Sequence, residues 1–251
     1  MKRLMIVFVV LSLLLGSASF GFGGRSSEKQ SSSTSTTQDT KKTIPTAKIT
    51  AGGSYLISNF EFGSLKSPQE WWVFDIKKAE PIANTDYSAG DRKVAAEVGN
   101  YSLAFNGTAT NWYAGGCGTY IAKENQDLSI YDTFKIDVYG NGLGSGTLKI
   151  ELLDDDNNNW QAEQDSNNSY APVYDDKLVY DISVDWSGWK RLEIPLADFV
   201  DANDGVGDDI WNPQQTNGSG GLLELQFICL GSKADGAIKF NVDNIYLSVE
   251  E

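Results

Sequence analysis

Beyond residue 50 the chain alternates apolar and polar residues at period two, and that alternation is what most limits its possible folds. In residues 133–138 the apolar set is Phe134, Ile136 and Val138. In 148–152 it is Leu148, Ile150 and Leu152; in 223–227 it is Leu223, Leu225 and Phe227; in 238–242 it is Ile238, Phe240 and Val242. Successive strand side chains point to opposite faces, so each segment has one greasy and one polar face, as two packed antiparallel sheets require. The connectors are turn-rich: Gly140-Asn141-Gly142, Asn157-Asn158-Asn159 and Asn217-Gly218-Ser219-Gly220. No segment longer than one or two turns has a helical period, and residues 196–200 after Pro195 read as a single turn. The expected fold is all-β, a two-sheet antiparallel jelly-roll sandwich of about nine to eleven strands.

Parity changes once, in the last strand. Phe240 and Val242 are even, Ile245 and Leu247 odd, so a bulge is expected at Asp243-Asn244. On spacing alone, Asp243 reads as an exposed acid at that kink.

Composition excludes several functions. The 251 residues carry a formal charge of −14, and residues 51–251 carry −19. A nucleic-acid surface needs cations to displace phosphate counterions, so no nucleic-acid partner is expected. The chain has no histidine, which removes the Ser-His-Asp triad and His-ligated zinc. There are 34 acidic residues, so some pair fits a glycosidase spacing by chance, and no catalytic residue is assigned. Cys117 and Cys229 either form a disulfide in an oxidising compartment or stay as buried thiols; Cys229 continues the apolar parity of Phe227.

Residues 1–18 read as a removable secretory signal, with an uncleaved anchor as the second reading. Met1-Lys2-Arg3 is basic, residues 4–15 are almost unbroken apolar, and Gly16-Ser17-Ala18 is small. Residues 19–52 read as a disordered Ser/Thr-rich linker, and 53–251 as the folded domain. The expected location is secreted, periplasmic or cell-surface, with no membrane insertion after signal cleavage.

Several motifs then fall in a familiar order. Asn59-Phe60-Glu61 opens the domain. Residues 101–108 (YSLAFNGT) precede Gly116-Cys117-Gly118-Thr119-Tyr120, and residues 127–134 (DLSIYDTF) follow. Residues 189–199 (WKRLEIPLADF) and 240–247 (FNVDNIYL) close it. In this order they resemble the family 11 carbohydrate-binding modules and the wider galactose-binding-like jelly rolls. The resemblance implies noncatalytic binding of a polysaccharide or oligosaccharide through an aromatic-lined cleft, and no enzyme activity. It also implies a structural calcium between the first and last strands, with carboxylates from Glu61 and Asp243. The family's loop tyrosine matches Trp211, and its early cleft tyrosine falls near Trp71-Trp72. Two further family tyrosines fall at Gly116 and Cys229, and a basic residue becomes acidic around Asp208-Asp209.

A pyranose has an apolar C–H face for a flat ring and a belt of hydroxyls for acids and amides. Trp71 and Trp72 are adjacent, so only one can face a core. Trp112, Trp160 and Trp211 stand among Asn, Gly, Asp and Pro, a loop context that favours ligand contact. The expected platform is Trp211, Trp160, Trp112 and one of Trp71 and Trp72, with Asp209 and Glu163 as hydroxyl partners. Trp186 and Trp189 flank a Ser-Gly turn and read as packing. Residues 154–160 (DDDNNNW) begin like a calcium loop but lack Gly at the sixth position and Glu at the twelfth, so they read as a solvated hairpin tip. Asp198, Asp201, Asp204, Asp208 and Asp209 read as a charged loop. The expected chain is a monomer, serving a separate glycan-active enzyme. The alternative is an extracytoplasmic protein-interaction or assembly module on the same fold.

Overall fold

The computed structural model describes residues 53–84, 89–168, 170–216 and 218–249; the signal and linker assigned to residues 1–52 lie outside them. Strands β1 (Ser54–Ser58), β2 (Trp71–Phe74) and β3 (Lys78–Ala83) precede helix α1 (Arg92–Glu97). Then come β4 (Tyr101–Thr108), β5 (Tyr113–Tyr120), β6 (Thr133–Asn141), β7 (Thr147–Asp155), β8 (Gln164–Asp165) and β9 (Ala171–Pro172). β10 (Asp176–Ser183), β11 (Ser187–Pro195), β12 (Val200–Asp201), β13 (Gly221–Leu230) and β14 (Ala237–Ser248) complete the order. One sheet runs β11-β6-β14-β4-β3, with β1 also paired to β14. The other runs β12-β10-β7-β13-β5-β2, and β8-β9 form a small ribbon. Every pairing between these strands is antiparallel. The expected two-sheet sandwich is the observed one. The strands beyond the expected number include β8, β9 and β12, which at two residues each are too short to leave a periodic signature.

The alternation predicts the core. Phe134, Ile136, Val138, Leu148, Ile150, Leu152, Phe240 and Val242 are fully buried in one cluster, joined by Ile238. Each such side chain is worth about 1.5–3 kcal/mol of burial. The exception is β13. Its register against β7 shifts between Leu222 and Glu224. Leu222, Leu225 and Phe227 enter the cluster, while Leu223 is buried outside it. The bulge carries the parity that the plain alternation misses.

The parity break in β14 is a bulge. Its register against β6 shifts between Asp243 and Tyr246, and Asn244 takes φ 44°. Asp243 is fully buried, which corrects the exposed position that spacing alone favoured. Cys117 and Cys229 are buried free thiols. They sit on paired strands but not opposite each other, since Cys117 faces Phe227 and Cys229 faces Gly115. Residues Leu196–Asp198 form the expected single turn, of 3-10 type.

Helix α1 covers part of the first sheet's outer face. Asp91 caps it by accepting from Lys93 N at 2.8 Å and Val94 N at 3.2 Å. Its Val94, with Val98 just beyond it, packs on Trp189 in a second small core beside Tyr139. Trp189 and the half-buried Trp186 are packing residues, as expected. Among the described residues no helix is long and apolar enough to cross a membrane.

Candidate functional site

The predicted tryptophans occupy four different places. Trp71 is 2% exposed in the core, its ring stacked at 5.6 Å on Phe227 and tilted at 5.5 Å against Phe60. Trp72 is the one that faces outward. Trp112 sits exposed in the β4–β5 turn, its N–H bonded to the carbonyl of Ala234 at 3.0 Å. Trp160 is exposed in the loop after β7; its N–H donates to Asp155 Oδ2 at 2.7 Å and its indole to Asn158 Oδ1 at 3.3 Å. Trp211 is half-buried against the main core and lines a pocket of about 560 Å³ with Leu178, Phe199 and Pro213.

Strand register separates them. Tyr113, next to Trp112, lies opposite Leu230, while Asp155 lies opposite Gly221. The ten residues of β13 span about 30 Å, so Trp112 and the Trp160 loop leave the second sheet at opposite ends. Trp211 belongs to the Trp160 end, because the neighbouring Asn212 N–H bonds Asp154 Oδ2 at 2.9 Å. Glu163 and Asp209 lie on the two loops of that end. Glu163 Oε1 accepts from the Asn159 amide, and Asp209 Oδ1 accepts from Gly205 N at 2.8 Å.

The outer face of the second sheet carries an aromatic strip that the tryptophan pattern alone misses. Leu148, Ile150 and Leu152 of β7 point to the core, so Lys149 and Glu151 point outward. Across the strands, Trp72 pairs with Gly118, Gly118 with Gln226, and Gln226 with Glu151. Beside this row, Phe74 pairs with Gly116, Gly116 with Ile228, and Ile228 with Lys149. On the other side, Tyr120 pairs with Glu224. The Trp72 and Tyr120 rings are 4.9 Å apart. Gly118 is the floor of the strip: a Cβ there would stand 2.5 Å from Trp72 Cζ2. Only a residue without a side chain lets the indole lie that low over β5. At the far end, Tyr113 donates to Asp75 Oδ2 at 3.0 Å.

Polar groups line the strip. Gln226 Nε2 donates to Glu224 Oε2 at 2.8 Å, and the Tyr120 hydroxyl bonds the same carboxylate. Burial, then Glu224, pushes the Tyr120 hydroxyl up to about 12. Burial also raises Glu224 above the ordinary value of 4.5, against the lowering effect of its two donors. Lys177 stands 3.9 Å from Glu151, and Lys149 pairs with Asp181 at 2.9 Å.

The raised Glu224 makes a signed prediction. A carboxyl raised on folding contributes stability fully below the unfolded value and loses it as pH rises through the folded value. Charged Glu224 therefore weakens the fold at pH 7. Glu224→Gln is expected to melt higher than wild type at pH 7, with the difference closing as pH falls toward 4.5. Thermal unfolding across that range checks it, and a difference that widens on acidification would refute it.

The two predicted calcium ligands come within electrostatic range of each other. Glu61 Oε1 accepts from Asn100 N at 2.8 Å and Tyr101 N at 3.1 Å, and Oε2 from Asn100 Nδ2 at 3.0 Å. Asp243 Oδ1 accepts from Asn244 N at 2.8 Å, while Oδ2 is buried with no donor. Burial, then the charges of Asp137 and Glu61, pushes Asp243 up to about 9. Asn100 N also reaches Glu61 Oε2 at 3.1 Å, so each Glu61 oxygen already accepts two hydrogen bonds, and the free lone pairs for a cation are those of Asp243 Oδ2. The orphaned Asp243 oxygen beside a second acid fits one. Two other acidic groups converge among the described residues: Asp154 with Asp156 and Asp176, and the more exposed Asp201 with Asp204 and Asp209. Asp154 and Asp155 are 0% exposed, so the hairpin-tip reading holds only from residue 157 onward.

No protein-family model matches the chain, and no curated protein matches it. Solved structures similar to it are carbohydrate-binding modules of families 11, 22, 28 and 30. One is a family 11 module from Clostridium thermocellum in complex with a β-1,3-1,4-mixed-linked tetrasaccharide, at 21% identity over 80% of this chain and 100% of that one, with a TM-score of 0.46. A family 30 module of a cellulosomal cellulase of Clostridium thermocellum is 15% identical over 74% of this chain and 94% of that one, with a TM-score of 0.42. A CBM22-2 xylan-binding domain from Paenibacillus barcinonensis is 16% identical over 79% of this chain and 100% of that one, with a TM-score of 0.40.

Proposed function

We propose that this chain is a noncatalytic, extracytoplasmic module that binds a polysaccharide or oligosaccharide across the outer face of its second sheet. The observation that carries this reading is the strip of Trp72, Phe74 and Tyr120 on and beside a strand stripped to glycine at 116 and 118. Rings that lie low on a sheet offer a flat apolar surface, which suits the C–H face of a pyranose. Gln226, Glu224 and Glu151 stand beside the rings with donors and acceptors for the hydroxyl belt. The exposed Trp160 leaves the sheet at the Tyr120 end of the strip, while Trp211 packs against the core beside Leu178 and Phe199. Each ring contact is worth about 1 kcal/mol by analogy with aromatic pairs. Several contacts with hydrogen bonds correspond to roughly micromolar to millimolar affinity after association costs.

A structural calcium at Glu61 and Asp243 belongs to the same reading. It would tie the loop after β1 to β14 and offset the repulsion between the two buried-side acids.

Affinity-gel retention and glycan-array binding of the full chain test the site. Trp72→Ala and Tyr120→Ala are each expected to weaken retention about fivefold, the factor to which about 1 kcal/mol corresponds. Trp112→Ala, at the other end of the sheet, is expected to leave it unchanged. Retention that survives both Trp72→Ala and Tyr120→Ala would remove the outer face as the binding surface.

A further inference from the structure

At one end of the second sheet, buried acids converge with oxygens left over. Asp154 of β7, Asp156 just after it and Asp176 at the start of β10 bring carboxylate oxygens within 4.8 Å of one another. Asp154 is 0% and Asp176 2% exposed. Each of the three has one oxygen fixed by backbone. Asn212 N donates to Asp154 Oδ2 at 2.9 Å, Ile210 N to Asp176 Oδ2 at 2.9 Å, and Asp176 N to Asp156 Oδ2 at 3.0 Å. The other oxygen of each, Oδ1, is buried and receives no hydrogen bond, and neither does Asn212 Oδ1. The loop is pressed against them: a Cβ on Gly207 would stand 2.1 Å from Asp176 Oδ1 and 2.3 Å from Asp156 Oδ2.

Buried carboxylate oxygens without donors are rare, because each forfeits its hydration for nothing. Asp175 adds further negative charge beside them; neither of its oxygens has a donor. Protonation would quench the charges, but it would leave the convergence of three backbone-anchored carboxylates unexplained.

We propose that Asp154, Asp156 and Asp176, with the amide oxygen of Asn212, bind a divalent cation of the calcium type. The donor set is all oxygen, with three carboxylates and an amide, which suits a hard cation that takes six to eight oxygens. It contains no thiolate or imidazole, the ligands that select zinc or copper. The outer oxygens are bonded to the backbone of the 210–212 segment and of β10. The ion would therefore clamp the end of β7, the start of β10 and the loop before β13 together. Those segments adjoin Trp160 and carry Trp211, so the ion also fixes the loops at the Tyr120 end of the aromatic strip. This site is separate from Glu61 and Asp243, which belong to the loop after β1 and to the first sheet, and its cation binding does not depend on any glycan.

Calcium alone is the probe. The full chain is stripped with chelator and titrated with Ca²⁺, in parallel with Mg²⁺, while heat of binding and melting temperature are followed. The variants are Asp154→Asn/Asp176→Asn and Asp243→Asn. The double variant is expected to bind one equivalent of Ca²⁺ fewer than wild type and to lose the melting increment that goes with it. In chelator it is expected to melt above wild type, because two repelling charges are gone; an acid cluster with no ion would give that rise without losing an equivalent of Ca²⁺. Asp243→Asn is expected to keep the equivalent. Should the double variant not fold, the single change Asp156→Asn at a less buried position carries the same comparison. Wild type that binds no divalent cation overturns the proposal. So does a double variant that retains every equivalent, or binding of Mg²⁺ in preference to Ca²⁺.

Discussion

Trp71→Ala is expected to lower the stability of the fold by about 3–5 kcal/mol, the usual cost of emptying a core site of an indole. The neighbouring change Trp72→Ala is expected to cost about 1 kcal/mol or less, since that ring covers β5 from the solvent side. Trp71 lies on the edge strand β2, buried between Phe60 and Phe227 in the core. Its loss leaves a cavity between Phe60 and Phe227, under a strand held in register by β5. In a domain of this size the change corresponds to about 10 °C or more in melting temperature. Trp71→Phe is expected to be much milder, because the Trp71 Nε1 is buried without an acceptor and its removal leaves no broken bond. Urea unfolding followed by circular dichroism, with glycan retention on the same samples, separates the two tryptophans. If Trp72→Ala proved the more destabilising, the assignment of inward and outward faces on β2 would be reversed.

The second large effect lies on the opposite sheet. Arg191→Met is expected to destabilise the fold by about 3 kcal/mol, the lower end of the range for breaking a buried ion pair. Arg191 holds Asp137 with two bonds, Nε to Oδ1 at 2.7 Å and Nη2 to Oδ2 at 2.8 Å. It reaches Glu97 of α1 with its third nitrogen at 2.6 Å. The Asp137 side chain is fully buried while that of Arg191 is 27% exposed. Removing the guanidinium leaves Asp137 with one other side-chain donor, the Asn244 amide at 2.9 Å, and with the buried Asp243 directly opposite on β14. The cost is that of an uncompensated buried charge, so Arg191→Met/Asp137→Asn is expected to recover most of it. Denaturant unfolding of the single and double variants reads this directly. Equal stability of wild type and Arg191→Met would mean that the pair contributes nothing to holding α1 on the sheet.

Local sequence carried the fold a long way. The alternation at 133–138, 148–152 and 238–242 named residues that are all buried in the main core, because side-chain direction in a strand follows from the backbone alone. The parity switch at Asp243 foretold the bulge for the same reason. It did not foretell burial of that acid, which depends on the packing around the end of β14. In β13 the alternation named Leu223 in place of Leu222, since the bulge there is defined against β7, a partner 66 or more residues earlier in the chain.

The site was less legible. Trp112, Trp160 and Trp211 share a loop context, but which end of a sheet a loop leaves depends on strand order and register. The aromatic strip did have a local trace. Gly116 and Gly118 share one parity and Tyr120 continues it, so one face of β5 is bare beside a ring. That trace becomes a surface only once β2 lays Trp72 and Phe74 across the glycines.

The chain's own order of residues determined which side chains in most strands are greasy, where two of the turns fall, and that acids greatly outnumber cations. Those properties are set by neighbours within a few bonds. The tertiary structure decided that Trp71 is packing and Trp72 is surface, that residues 154–156 with 176 form a buried cluster, and that the outward rings gather on one sheet. Each of these joins residues far apart in the chain, and only the pairing of strands brings them within contact distance.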